Sequence, residues 1–142
     1  MSSIPEQVMV VMLGALTGNT AAGGNVFRSR ATAIAHGEVP CIAIMCTDEE
    51  SSVFNSSVDE NTLVVTVEVH TRGDPFDTLA DPILIDIHRL LLGNAGLRSL
   101  VDDLRKKSKS WEEHEAEQTA GFVTTRYQMR YLQPANDLTT TI

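Results

Sequence analysis

The chain has 142 residues, of which 42% are hydrophobic and 21% charged, and its formal net charge is −8. That length suits one domain able to bury a core without staples, and the composition excludes wholesale disorder and fibrous repeats. The acidic balance argues against a general affinity for nucleic acid, which depends on clustered Lys and Arg.

Cys41 and Cys46 both fall in an apparent strand, CIAIMC. At a strand rise of about 3.3 Å per residue they stand roughly 16 Å apart, beyond any disulfide. They read as small buried hydrophobes in a reducing compartment. The N-terminus lacks the basic flank of a secretory signal, and its apolar run is broken by Pro5, Glu6 and Gln7. No stretch approaches the roughly 20 apolar residues of a membrane span, so no membrane partner is expected.

The first expected element is a helix. Ser3 is its N-cap, Pro5 lies in the first turn, and Glu6 completes a capping box. Val8, Val11, Met12, Ala15 and Leu16 then recur at helical spacing, and Gly18 with Asn19 supplies the stop. Val26 to Arg30 reads as a short edge strand or hairpin arm, and Val39 to Cys46 as a central strand. Asp48 to Asn61 is rich in Ser, Asn and acids, with no Lys or Arg, and reads as a long, mobile loop.

Leu63 to Thr71 alternates. Leu63, Val65, Val67 and Val69 share one face, opposite Thr66, Glu68 and His70. A helix capped by Asp74 and begun by Pro75 follows, with Leu79, Ile83, Ile87 and Leu90 on one side, a kink at Pro82 and a stop at Gly93. Asp81 is an alternative cap for a shorter helix. Leu97 to Leu104 reads as a short helix. Lys106 to Glu113, around Trp111, then pairs with Phe122 to Tyr131 across an acidic turn, Glu115 to Gly121.

In the last strand Val123, Thr125, Tyr127, Met129 and Tyr131 repeat the alternation of the earlier one. A buried face of this kind needs a helix layer. The expected fold is therefore α+β, a mostly antiparallel sheet with helices packed on one face, in a single domain over residues 1–132 followed by a loose tail over 133–142.

Chemistry is harder to find. His114 sits in EEHEAE with Glu112, Glu113, Glu115 and Glu117, but there is no HExxH spacing and no second histidine nearby, so a solvated acidic turn is the simpler reading. Asp74, Asp77 and Asp81 read as acids at a helix start rather than as an EF-hand. His70 and His88 have no nucleophile in a recognisable turn, and the glycines form no phosphate loop. The expectation is no catalytic residue, no metal and no cofactor. Arg105, Lys106, Lys107 and Lys109 form a basic cluster that reads as the polar edge of a strand. Arg126 and Arg130 stand on the face opposite Tyr127 and suit either solvent or the acids of another copy, for which the segment with Asp48, Glu49, Glu50, Asp59 and Glu60 is a possible complement.

The run VFRSRATAIAHGEVPCIAI, the strand LVVTVEVHTRG, the segment DPFDTLADPILIDIHRLLL and the closing EAEQTAGFVTTRYQMRY together resemble tail terminator proteins of tailed bacteriophages, the group that includes the lambda minor tail protein U. The resemblance spans roughly residues 3 to 132 and lies in the order and character of the segments. It implies an α+β structural protein of the virion. Such a protein forms a homo-hexameric ring at the head-proximal end of the tail, stops polymerisation of the tail tube protein, and offers a joining surface to the head completion or connector protein. It is assembled in the host bacterial cytoplasm. The resemblance further implies that Phe27, Arg28, Arg30 and the Asp48 to Asn61 segment meet a neighbouring subunit, the tube or the connector. An acidic ring also lets DNA pass without gripping it. The alternatives are a head-tail connector or tail completion protein of related fold, and a small cytoplasmic enzyme built on His70, His88 and the Asp74 cluster.

Overall fold

A computed structural model describes residues 2–28, 39–114 and 117–142, and the side chains of all of these except 114 and 117–119. Its elements are α1 (Ile4–Leu16), β1 (Val26–Arg28), β2 (Cys41–Asn55), β3 (Val58–Arg72), α2 (Phe76–Leu92), α3 (Ala95–Leu100), β4 (Asp103–His114) and β5 (Glu117–Pro134). The strands form one five-stranded sheet in the order β1-β2-β3-β5-β4. Among the described residues only β1 and β2 run parallel; the other neighbours are antiparallel. The expected α+β fold is the one observed.

The topology explains why the helices lie together. β3 and β4 both run antiparallel to β5, so they are parallel to each other with β5 between them. Parallel strands of one sheet need a crossover over one face. Here α2 and α3 make it: α2 covers β3 and β5, α1 covers β1 and β2, and α3 packs against α1 and α2. Beneath them Leu63, Val65, Val67 and Val69 of β3 and Val123, Tyr127, Met129 and Tyr131 of β5 are buried, as their alternation requires. The second face carries no helix among the described residues. Even so, Thr66, His70 and Thr124 at its centre are buried beneath their cross-strand neighbours.

Helix α1 starts where expected, with Ser3 Oγ accepting from Glu6 N at 3.5 Å. The capping box is not reciprocal. The Glu6 carboxylate instead takes both guanidinium nitrogens of Arg28, at 2.5 and 2.6 Å, and ties α1 to β1. Those hydrogen bonds hold the Glu6 carboxyl below its ordinary pKa range.

Several expectations are corrected. Asp48 to Asn61 is not a loop: it is the outer half of the β2–β3 hairpin, closed by a tight turn in which Asn55 Oδ1 accepts from Ser57 N at 2.9 Å. A register shift between Cys46 and Asp48 breaks the alternation there, and past it both faces of β2 are exposed. With nothing to bury, the arm carries no apolar period.

Asp74 does not cap α2. Pro75 holds the cap position without a side-chain hydrogen bond, and the helix runs on through Pro82. Leu104 belongs to β4, not to a helix, and the acidic turn is shorter than expected because β5 begins at Glu117. At the C-terminus, Gln133 and Pro134 lie in β5. Beyond them Ile4 N donates to Leu138 O at 3.0 Å, Gln7 Nε2 to Thr139 O at 2.9 Å and Ile142 N to Leu132 O at 3.0 Å.

Candidate interaction surfaces

The first surface is the hairpin arm. Pairing of Glu49 with Leu63 and of Asp59 with Val53 puts Glu49, Val53 and Asp59 on the helix side of the sheet, with Asp48, Glu50 and Glu60 on the other side. Tyr131 hydrogen-bonds Glu49 through its hydroxyl, and Ser51 likewise bonds Asn61, so the arm is braced against β5. At the tip Val53 is 79% exposed and Phe54 57%. Periodicity and charge do not point to these two, although an apolar pair inside an acid- and Ser-rich run is a visible signal.

The second surface is the open sheet face. The register lines up Glu50, Thr62, Arg130 and Asp103 in one row, and Met45, Thr66, Arg126 and Ser108 in another. Arg130 is exposed; Arg126 is half-buried and donates to Ser108 Oγ at 3.3 Å. Arg105 pairs with Asp103 at 2.8 Å. Acids therefore dominate the β2 side of this face and arginines the β5–β4 side. Phe27 and Arg28 lie in β1, with Arg28 committed to Glu6, and Arg30 falls outside the described residues.

The third surface is a groove of about 410 Å³ between α2 and the β4–β5 edge. Leu84, Ile85 and Tyr127 give it an apolar floor, and Arg89, Lys106 and Lys109 surround it. The basic cluster does lie on an edge strand, as its composition suggested. His88 and Tyr127 meet inside, with Nδ1 and Oη 3.1 Å apart.

Burial pushes the Tyr127 phenol up to about 12 from an ordinary 10. Above pH 10 the unfolded ring releases its proton while the folded ring keeps it. The stability this group contributes is thus intact below about pH 10 and lost as pH rises toward about 12. Tyr127→Phe is expected to flatten the alkaline limb of an unfolding curve followed from about pH 9 to 12. An equally steep limb would show that the folded ring ionises freely.

The residues of the enzyme alternative do not come together. His70 is on the open face, 3.0 Å from Glu68 Oε1 and stacked on Phe122, whereas His88 is on the helix side with the sheet between them. Asp74, Asp77 and Asp81 are exposed. Among the described residues no three His, Cys, Asp or Glu side chains group as a metal site. The EEHEAE segment bears on this only partly, since the His114 and Glu117 side chains and all of Glu115 fall outside the description. Among the described residues no helix is long and apolar enough to cross a membrane.

No protein-family model matches the sequence, and no curated protein does. The fold does have a counterpart among solved structures. A chain described as "Virion of native gene transfer agent (GTA) particle" superposes with a TM-score of 0.56 and 14% identity, covering 90% of this chain and 90% of that one.

Proposed function

We propose that this chain is a structural component of a phage-like virion, a tail terminator. Its copies close into a hexameric ring at the head-proximal end of the tail, stop growth of the tail tube and present a joining surface to the head completion or connector protein. The observation that carries the reading is the shared architecture, over nine-tenths of both chains, with a chain of the gene transfer agent particle. The resemblance of the segments to phage tail terminators points the same way. The molecule offers what a ring subunit needs: two different patches for head-to-tail contact and separate axial faces for other partners. The acidic hairpin and the arginine-bearing face, with Arg126 and Arg130, are charged surfaces suited to contacts between copies or with the tube. An overall charge of −8 suits a conduit that DNA crosses without specific binding. No cofactor enters this reading.

The test is the native mass of the concentrated protein together with negative-stain images of the same sample, alone and after addition of isolated tail tubes. Rings of six subunits, or capped tube ends, are the expected result. Reversal of Arg126 and Arg130 to Glu is expected to impair assembly, and unchanged assembly removes that face from the interface. A chain that stays monomeric and leaves tubes uncapped overturns the terminator. Binding to a head connector but not to tubes identifies a head-tail joining protein of the same fold, a reading that likeness to a chain of a virion particle also supports.

A further inference from the structure

We infer that the β2–β3 hairpin tip of one copy, led by Phe54 and Val53, docks in the α2–β4 groove of the next copy. The inference rests on the self-assembly proposed above and names the surfaces that carry it. Three observations converge on this pairing.

The tip is an apolar knob on an acidic stalk. Val53 and Phe54 are both exposed, and the register irregularity between Val53 and Asn55 lets Phe54 leave the regular ladder. Asp48, Glu49, Glu50, Asp59 and Glu60 flank it with no Lys or Arg between them.

The groove has the opposite character. Its floor is apolar, and its about 410 Å³ fall within the roughly 300–1,000 Å³ of sites that enclose a ligand group. Lys106 and Lys109 on its rim have no acidic partner among the described residues, while Arg89 pairs with Asp86 and Asp81 is the one acid in the lining. The open-face arginines lack such a floor, which is why the groove is the better match for an aromatic tip.

Tip and groove cannot meet within one molecule. The groove lies at the row of Val65 and Tyr127, while the tip lies at the row of Val58 and Pro134. Seven residues at about 3.3 Å separate those rows by roughly 23 Å along one continuous sheet. The contact is therefore between copies, with a donor and an acceptor surface on each. This is the heterologous arrangement that closes into rings.

Two variants with one exposed cysteine each test it, Phe54→Cys and Ile85→Cys, both made with Cys46→Ser and with Cys41 left in place, buried. Because a disulfide needs Cα atoms about 4–7 Å apart, mixing the two and oxidising is expected to give a dimer that neither gives alone. In parallel, Lys106→Glu with Lys109→Glu is expected to weaken assembly at least tenfold, and Glu50→Lys with Asp59→Lys on the partner copy to restore it. Retained near-wild-type unfolding curves show that these surface variants fold. If assemblies form without the cross-link and ignore the charge reversals, the docking is overturned and the ring survives. If Phe54→Asp abolishes tube capping but not ring formation, the tip belongs to the tube protein and the docking is again overturned. If nothing assembles, with or without tubes, the ring and the docking fall together.

Discussion

Ile87→Ala is expected to lower the free energy of unfolding by about 2–5 kcal/mol, while Ile85→Ala, two residues away in the same helix, stays within about 0.5 kcal/mol of wild type. Ile87 is 1% exposed and lies where α2 presses on β3 and β5; truncating it removes buried methylene groups and leaves a cavity that close-packed neighbours fill only in part. Ile85 is 56% exposed and borders the groove, so its truncation leaves no buried void. Against a typical domain stability of about 5–15 kcal/mol the Ile87 loss is large, and denaturant titration of both variants measures it. In the unassembled chain, equal losses at the two positions would mean that the groove is closed over Ile85 within a single copy.

This pair also shows how far the sequence could be read. In FDTLADPILIDIHRLLL almost every turn offers an apolar residue on more than one side, so the period indicates a helix without settling its azimuth. Spacing suggested Leu79, Ile83, Ile87 and Leu90; the buried set is Phe76, Ala80, Ile83, Leu84, Ile87 and Leu91, and Leu79 is 45% exposed. The strands were clearer. In β3 and β5 the large apolar side chains recur with a period of two on the helix-covered side, and both helix layer and sheet type follow from it, although Val64, Thr66, His70 and Thr124 of the other face are buried as well.

The hairpin arm reads as a loop in the sequence for a reason that bears on function. Local pattern reports burial, and β2 beyond Cys46 has none: its register is imposed by β3, itself locked to β5 as far as Pro134. Strands that project beyond a helix layer read like loops until their partners are known. The candidate surfaces were legible to the same degree. Charges could be counted along the chain, so the acidic segment and the basic edge were visible, but the groove was not. It joins residues of α2, β4 and β5 that are distant in sequence and adjacent only once the crossover is made.

Gly121→Ala is expected to cost about 1–3 kcal/mol, an unusual penalty for a single methyl in a strand. Gly121 lies in β5 across from Thr71 of β3 and Glu113 of β4, under the first residue of α2. A Cβ there would stand 2.6 Å from the carbonyl oxygen of Glu112 and 2.8 Å from two carbons of the Phe76 ring. The ring has little room to yield. Phe76 is buried, and its carbonyl accepts from Thr71 Oγ1 at 2.8 Å, which fastens the start of the helix to the same row of the sheet. The carbonyl of Glu112 can retreat only if β4 moves away from β5. Gly121 is thus the gap through which α2 enters close to the sheet, and it sets the height of the helix over the groove.

A double-mutant cycle with Phe76→Leu separates the two clashes. If the ring is the main obstacle, the second change recovers most of the loss; if the backbone oxygen is, it recovers little and the β4 edge loosens. Thermal unfolding of the four proteins gives the energies, and amide exchange along β4 tells which element moved. Wild-type stability in Gly121→Ala would show that β4 shifts freely against β5, and a groove built on so yielding an edge would have to form around its occupant.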